Sequence, residues 1–162
     1  MVRSLLAILI AACGSADGGD PSRNWSGRYG TRVVGASTDC FESQSPPPLT
    51  GFILDLAQTS PDSVTVSMNP IIRLAGRYEG DRLEAGMVVE EPVGLPDSIA
   101  ARATPADSLD TITYALRADF EAAGFEGEYV IRSPDLRALV TRGEGSRCEY
   151  RYRLSGQRME VG

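Results

Sequence analysis

The side chains of this chain that could do more than pack are its carboxylates, its tyrosines and three cysteines, Cys13, Cys40 and Cys148. General acid and base work by carboxylates needs a pair in a buried or crowded setting, where one acid can hold its proton near neutral pH. Glu126 and Glu128 stand two apart on the polar side of a strand pattern, which is not such a setting. Glu90 and Glu91 precede Pro92 at a strand end and show no such setting either. No histidine is present, which removes Ser-His-Asp and Cys-His catalysis and imidazole metal sites. Nucleophile-elbow and phosphate-loop spacings do not occur. No enzymatic activity and no cofactor are therefore expected. Twenty-two acids stand against 16 basic residues, all of them scattered Arg, for a net charge of −6. A nucleic-acid partner, which needs a continuous basic footprint, is not expected.

Cys13 belongs to a different kind of chemistry. Met1-Val2-Arg3-Ser4 is followed by an apolar run from Leu5 to Ala12, far short of the about 20 residues that span a bilayer. The pattern reads as a secretion signal. Its end, Ile10-Ala11-Ala12-Cys13, resembles the lipobox of bacterial lipoproteins. That resemblance implies a signal peptide over residues 1–12, cleavage before Cys13, and acylation of the Cys13 thiol. The partner of the acyl chains is then membrane lipid, and each buried methylene adds roughly 0.8 kcal/mol, so two or three chains hold stably. Gly14 in place of an Asp implies the outer membrane of the cell envelope where the host has two membranes. A plain secretory signal cut near Ala12 or Ala16 is the alternative.

With Cys13 assigned to lipid, Cys40 and Cys148 form an even pair in an oxidising compartment and are expected to make one disulfide. Closing so long a loop is worth about 4 to 5 kcal/mol in the chain-entropy model. Metal binding is the competing reading, and two cysteines without histidine make a poor ligand set.

The elements that must position these groups read as strands. Residues 13–24 are small and polar, a tether, and from Trp25 a period of two recurs over a single domain spanning 25–162. Trp25, Gly27, Tyr29, Thr31 and Val33 alternate with polar residues, as do Phe52, Leu54 and Leu56, and Val64, Val66 and Met68. Ile72 to Tyr78, Leu83 to Val89, Ile112 to Phe120, Phe125 to Ile131 and Cys148 to Leu154 continue the pattern. A short piece from Leu136 to Thr141 brings the expectation to eight or nine strands. A single helical turn is expected from Asp97 to about Ala103. Two connections break the rhythm: Phe41 to Leu49, with Pro46-Pro47-Pro48, and Glu91 to Asp110. The expected fold is all-β, an antiparallel meander closed into a small barrel, with a β-sandwich as the alternative.

The expected barrel interior includes Trp25, Tyr29, Phe52, Leu54, Tyr114, Leu116, Phe120, Tyr129, Tyr150 and Tyr152. All six tyrosines fall at inward positions, and each hydroxyl needs a partner. They either rim a ligand cavity or project to the barrel ends, and a filled core is the simpler expectation. Charge is uneven. Residues 79–128 hold twelve acids against three Arg, and residues 142–158 hold five Arg against two Glu. Cross-strand neutralisation between the two stretches is expected, with a docking face as the alternative.

From Asn24 to Arg158 this strand pattern resembles the calycin group, the lipocalins and similar small barrels. Trp25-Ser26-Gly27 reverses the lipocalin opening order, Gly-x-Trp. The resemblance implies the barrel, and an Arg near the last strand, Arg153 or Arg158, packed over Trp25 as a cation–π contact. The expected function is that of a membrane-anchored exported lipoprotein with a binding role, toward a small apolar ligand or an envelope protein. An inhibitor or assembly factor working through the loop from Glu91 to Asp110 is the second reading, and a carboxylate hydrolase the weakest.

Overall fold

Alternating polarity gives each strand one face to bury, and in the computed structural model eight strands bury it by wrapping into one closed antiparallel barrel. The structure describes residues 24–40, 46–92, 109–135 and 147–160. The strands are β1 (Gly27–Thr38), β2 (Gly51–Ser60), β3 (Ser63–Ser67), β4 (Arg73–Glu79), β5 (Arg82–Pro92), β6 (Leu109–Glu121), β7 (Gly124–Pro134) and β8 (Arg147–Arg158). Each pairs with its successor, and β1 pairs with β8 from Tyr29 opposite Arg158 to Thr38 opposite Tyr150. That last pairing removes both free sheet edges and decides the architecture against a sandwich.

One boundary differs from expectation. Glu91 pairs with Asp110 and Pro92 with Leu109, so the connection expected from Glu91 to Asp110 spans only residues 93–108. Pro92 ends its strand, where a missing N–H is tolerated. The signal peptide, Cys13, the tether up to residue 23, the helical turn near Asp97 and the piece from Leu136 to Thr141 lie outside the described residues.

An up-and-down chain sends alternate connections to opposite ends. Two-residue turns at Pro61-Asp62, Gly80-Asp81 and Ala122-Ala123 all fall at one end, which we call the closed end. Gly80 there adopts φ 64°, a left-handed conformation that glycine reaches without a Cβ penalty. Asn24 and Met159 lie at the same end, where Met159 N–H donates to Arg28 O at 2.8 Å. The remaining four connections gather at the other end, the mouth. In the shortest of them, Asn69 Oδ1 accepts from the N–H groups of Ile71 and Ile72 and so forms the β3–β4 turn.

Leu54, Leu56, Val64, Val66, Leu74, Leu83, Leu116 and Leu154 fill the barrel's middle. Large side chains fit beside small ones: Phe125 lies across Gly156, its register partner, where a Cβ would fall inside the ring. The seam between β1 and β8 is held differently at its two ends. At the mouth the Cys40–Cys148 disulfide links Cα atoms 4.6 Å apart across a sequence separation of 108. Beside it Asp39 N–H donates to Glu149 O, and Glu149 N–H donates to Asp39 Oδ1 at 2.6 Å. At the closed end the seam relies on hydrogen bonds and packing.

The outer wall carries ion pairs between residues directly opposite on adjacent strands: Arg28–Asp55 at 2.9 Å, Arg82–Asp119 at 2.9 Å and Arg132–Glu149 at 2.5 Å. Glu84 is flanked by Arg77 and Arg117. Exposed pairs of this kind contribute at most about 1 kcal/mol each. The expected neutralisation of the acidic stretch by the last strand holds at Glu128 with Arg151 and is corrected for Glu84 and Asp119. Strand β8 touches only β7 and β1, so Arg151 reaches Glu128 at 3.3 Å, while Glu84 and Asp119 are met by arginines of β4, β5 and β6. Glu149, only 14% exposed, is the most embedded acid of the wall's pairs. Burial acts to raise its pKa, but Arg132 and Arg151 outweigh it and hold the carboxyl below its usual range.

Candidate functional site

Two aromatic clusters occupy the two ends of the interior. At the closed end Phe120 is the hub, with Trp25 at 5.2 Å, Phe125 at 5.3 Å, Tyr29 edge-on at 5.5 Å and Tyr78 edge-on at 6.0 Å between ring centroids. Such contacts add about 0.5–1.5 kcal/mol per pair beyond burial. Tyr29 Oη donates to Trp25 O at 2.9 Å, which folds the opening segment over the barrel's base. Burial raises the pKa of the Tyr29 hydroxyl, with Arg158 pulling the other way, and burial likewise raises that of Tyr78.

At the mouth Tyr129 is the hub, with Tyr152 at 6.2 Å, Tyr114 stacked at 6.4 Å and Phe52 at 6.5 Å. Here the rings leave space. A cavity of about 300 Å³ is lined by these four aromatics together with Pro47, Pro48, Leu49, Met68, Asn69, Ile72 and Ile131. Tyr152 Oη donates to Pro47 O at 3.1 Å and so holds the proline segment against the opening. Tyr129 is 2% exposed, and its hydroxyl has no hydrogen-bond partner among the described residues. Burial drives its pKa far up, and the adjacent phenols of Tyr114 and Tyr152 add to the shift, so the group stays protonated as a donor.

The expected interior residues thus divide into three layers. Phe52, Tyr114, Tyr129 and Tyr152 line the cavity, Leu54 and Leu116 belong to the solid middle, and Trp25, Tyr29 and Phe120 form the closed end. Tyr150 is half-buried against the core. Met68, Ile72 and Ile131 carry the inward period and still escaped the candidate set, which favoured aromatics. Pro47, Pro48 and Leu49 were missed because an extended proline run carries no strand signal; its placement depends on the hydrogen bond from Tyr152, remote in sequence.

Other candidates go elsewhere. Arg153 sits on the outer wall beside Gly35, and Arg158 donates from Nη2 to Ser26 O at 2.6 Å. Arg158 therefore grips the backbone next to Trp25, and the Trp25 ring packs on Phe120. Glu90 and Glu126 are exposed, and Glu128 pairs with Arg151. Among the described residues no group of three or more Cys, Asp or Glu gathers at metal-binding distance. A second depression, about 500 Å³ on the outer wall between β4, β5 and β6, is broadly open, and its charged residues, Arg77, Glu84 and Arg117, already pair with one another. A further depression of about 480 Å³ beside the β6–β7 turn is lined by polar residues such as Asp119, already paired with Arg82, so the mouth cavity is the mainly apolar site. Compared with known proteins, the chain matches no family model and no curated protein.

Proposed function

We propose that this chain is an exported lipoprotein, anchored in the cell envelope by acyl chains on Cys13, whose barrel binds a small apolar molecule at its mouth. The observation that carries the binding reading is the apolar mouth cavity, open at one end of a barrel whose middle is filled with side chains. Binding sites for small molecules are concave, mostly apolar and furnished with a few placed polar groups, a description this cavity meets.

Anchoring rests on Ile10-Ala11-Ala12-Cys13 and the small polar residues up to Asn24. Asn24 leaves the barrel at its closed end, so a tether from Cys13 attaches that end to the bilayer and turns the mouth away from it. A Gly-rich tether of this length spans roughly 20 Å on average. In a host with two membranes this is the outer one. The reading assigns no enzymatic activity and no nucleic-acid partner.

Two measurements test the halves separately. Cys13→Ser is expected to move the protein from the membrane to the soluble fraction, and continued membrane association would overturn the anchor. Protein purified from its own membranes is expected to carry a small bound mass in native mass spectra, lost in Ile131→Trp, which fills the cavity. Protein without such a mass would count against the ligand.

A second reading, an envelope inhibitor or assembly factor docking through the loops, is favoured by one observation. Ile71 and Val88, 86% and 61% exposed, present apolar side chains to solvent toward the mouth. Replacing residues 93–108 by a two-residue Asn-Gly turn, which keeps the Pro92–Leu109 pair, would then abolish capture of a crosslinked partner.

A further inference from the structure

The chemistry of the mouth cavity narrows the class of ligand, an inference that rests on the binding reading above. At about 300 Å³ the cavity lies at the low end of small-molecule sites. It equals on the order of ten water molecules at liquid density. One or two fused rings fit that space; a long acyl chain does not. Among the described residues no Arg, Asp or Glu lines the cavity, so these residues offer a charged ligand no counter-charge for the hydration it loses.

Of the polar side chains that line it among the described residues, Asn69 and Tyr152 hold hydrogen bonds, Tyr114 is half-buried and Tyr129 is buried. Asn69 Oδ1 accepts two backbone N–H groups, and Tyr152 Oη donates to Pro47 O. Tyr129 Oη, buried at the centre of the mouth's aromatic cluster, is without a partner among the described residues. Trp25 Nε1 and Tyr78 Oη are also unpartnered there, but neither residue borders the mouth cavity. An unmet buried donor is destabilising, and an acceptor brought in by a ligand relieves it.

We propose that the cavity takes a compact, uncharged ring compound bearing one hydrogen-bond acceptor, a ketone or ether oxygen, and that Tyr129 Oη–H donates to that acceptor. The hydroxyl is then a specificity-determining group, and the surrounding rings supply sequence-built apolar area with no preference among hydrocarbons of the right size.

The test compares 1-indanone with indane, the same ring system without the oxygen, by calorimetric titration of the full chain and of Tyr129→Phe. Hexadecanoate serves as the long, charged comparison. Tyr129→Phe removes only the hydroxyl and keeps the ring, and circular dichroism checks that the fold is kept. The variant is expected to weaken 1-indanone by about fivefold or more and to leave indane within about twofold, with hexadecanoate unbound to either protein. If both rings bind and the variant weakens them equally or not at all, the hydroxyl is not the reader, while the cavity reading stands. Hexadecanoate binding tighter than both rings would overturn the ligand class. If neither ring binds the unaltered protein, the cavity reading fails and this inference fails with it.

Discussion

At the closed end of the barrel Phe120 packs against Trp25, Tyr29, Tyr78 and Phe125; at the mouth Tyr129 packs against Phe52, Tyr114 and Tyr152. The residue types are nearly the same, yet one cluster seals its end and the other surrounds a cavity. Two differences account for this. At the closed end the connections are two-residue turns, whereas those at the mouth are longer. Tyr29 also directs its hydroxyl to the backbone of the opening segment, which lays Trp25 on Phe120 as a plug. At the mouth the equivalent contact, Tyr152 to Pro47, holds a strap at the side of the opening. The seam follows the same division, covalent at the mouth and non-covalent at the base.

This contrast can be broken from either side. The largest effect is expected at the mouth's covalent tie. Replacing Cys40 and Cys148 together by Ser should lower stability by about 4 to 5 kcal/mol in the chain-entropy model. Denaturant unfolding gives the loss, and amide exchange should rise first at Thr38 and Tyr150, ahead of Tyr29. Uniform loosening of the whole seam would erase the distinction between its ends. Next comes Phe120→Ala, which removes the hub of the sealed cluster and should cost about 3–5 kcal/mol. A loss near 1 kcal/mol would mean that the closed end is not a packed plug.

A smaller effect is expected on raising pH. Burial lifts the pKa values of Tyr29, Tyr78, Tyr129 and Tyr152 above the ordinary phenol value. Since the folded values exceed the unfolded ones, the stability tied to these hydroxyls is intact below the unfolded value of about 10 and is lost as pH rises beyond it toward the folded values. Ultraviolet absorbance should show their ionisation coinciding with loss of fold. Ionisation of all six tyrosines as free phenols in an intact barrel would contradict the burial. Smallest is Tyr129→Phe, expected within about 0.5 kcal/mol of the unaltered protein because an unpartnered hydroxyl is removed. A large loss would show that the hydroxyl has a structural partner after all.

How much of this was legible in the sequence follows from what a period of two can encode. Tyr29, Leu54, Leu116 and Tyr152 announce their inward direction by their neighbours alone, because alternate residues of a strand must face opposite sides. Closure is not written in that period: a sandwich asks the same of every strand, and only the pairing of β1 with β8 separates the two. The layering of the interior was also hidden, since Phe52 and Phe120 carry the same local pattern. The turn lengths did hold the answer. Pro61-Asp62, Gly80-Asp81 and Ala122-Ala123 fall on every second connection, and a meander puts every second connection at one end. The strand register moved the limits of the loop after β5, because Pro92 and Leu109 still pair where composition reads as loop.

The central claim is that ligand chemistry belongs to the mouth and not to the base. The most direct measurement is a map of backbone amide shifts in nuclear magnetic resonance on titration with 1-indanone. The account predicts changes at Leu49, Phe52, Asn69, Ile72, Tyr114, Tyr129, Ile131 and Tyr152, with Tyr29, Tyr78, Phe120 and Phe125 unmoved. Shifts concentrated at the closed-end residues, or none anywhere at saturating ligand, would contradict it.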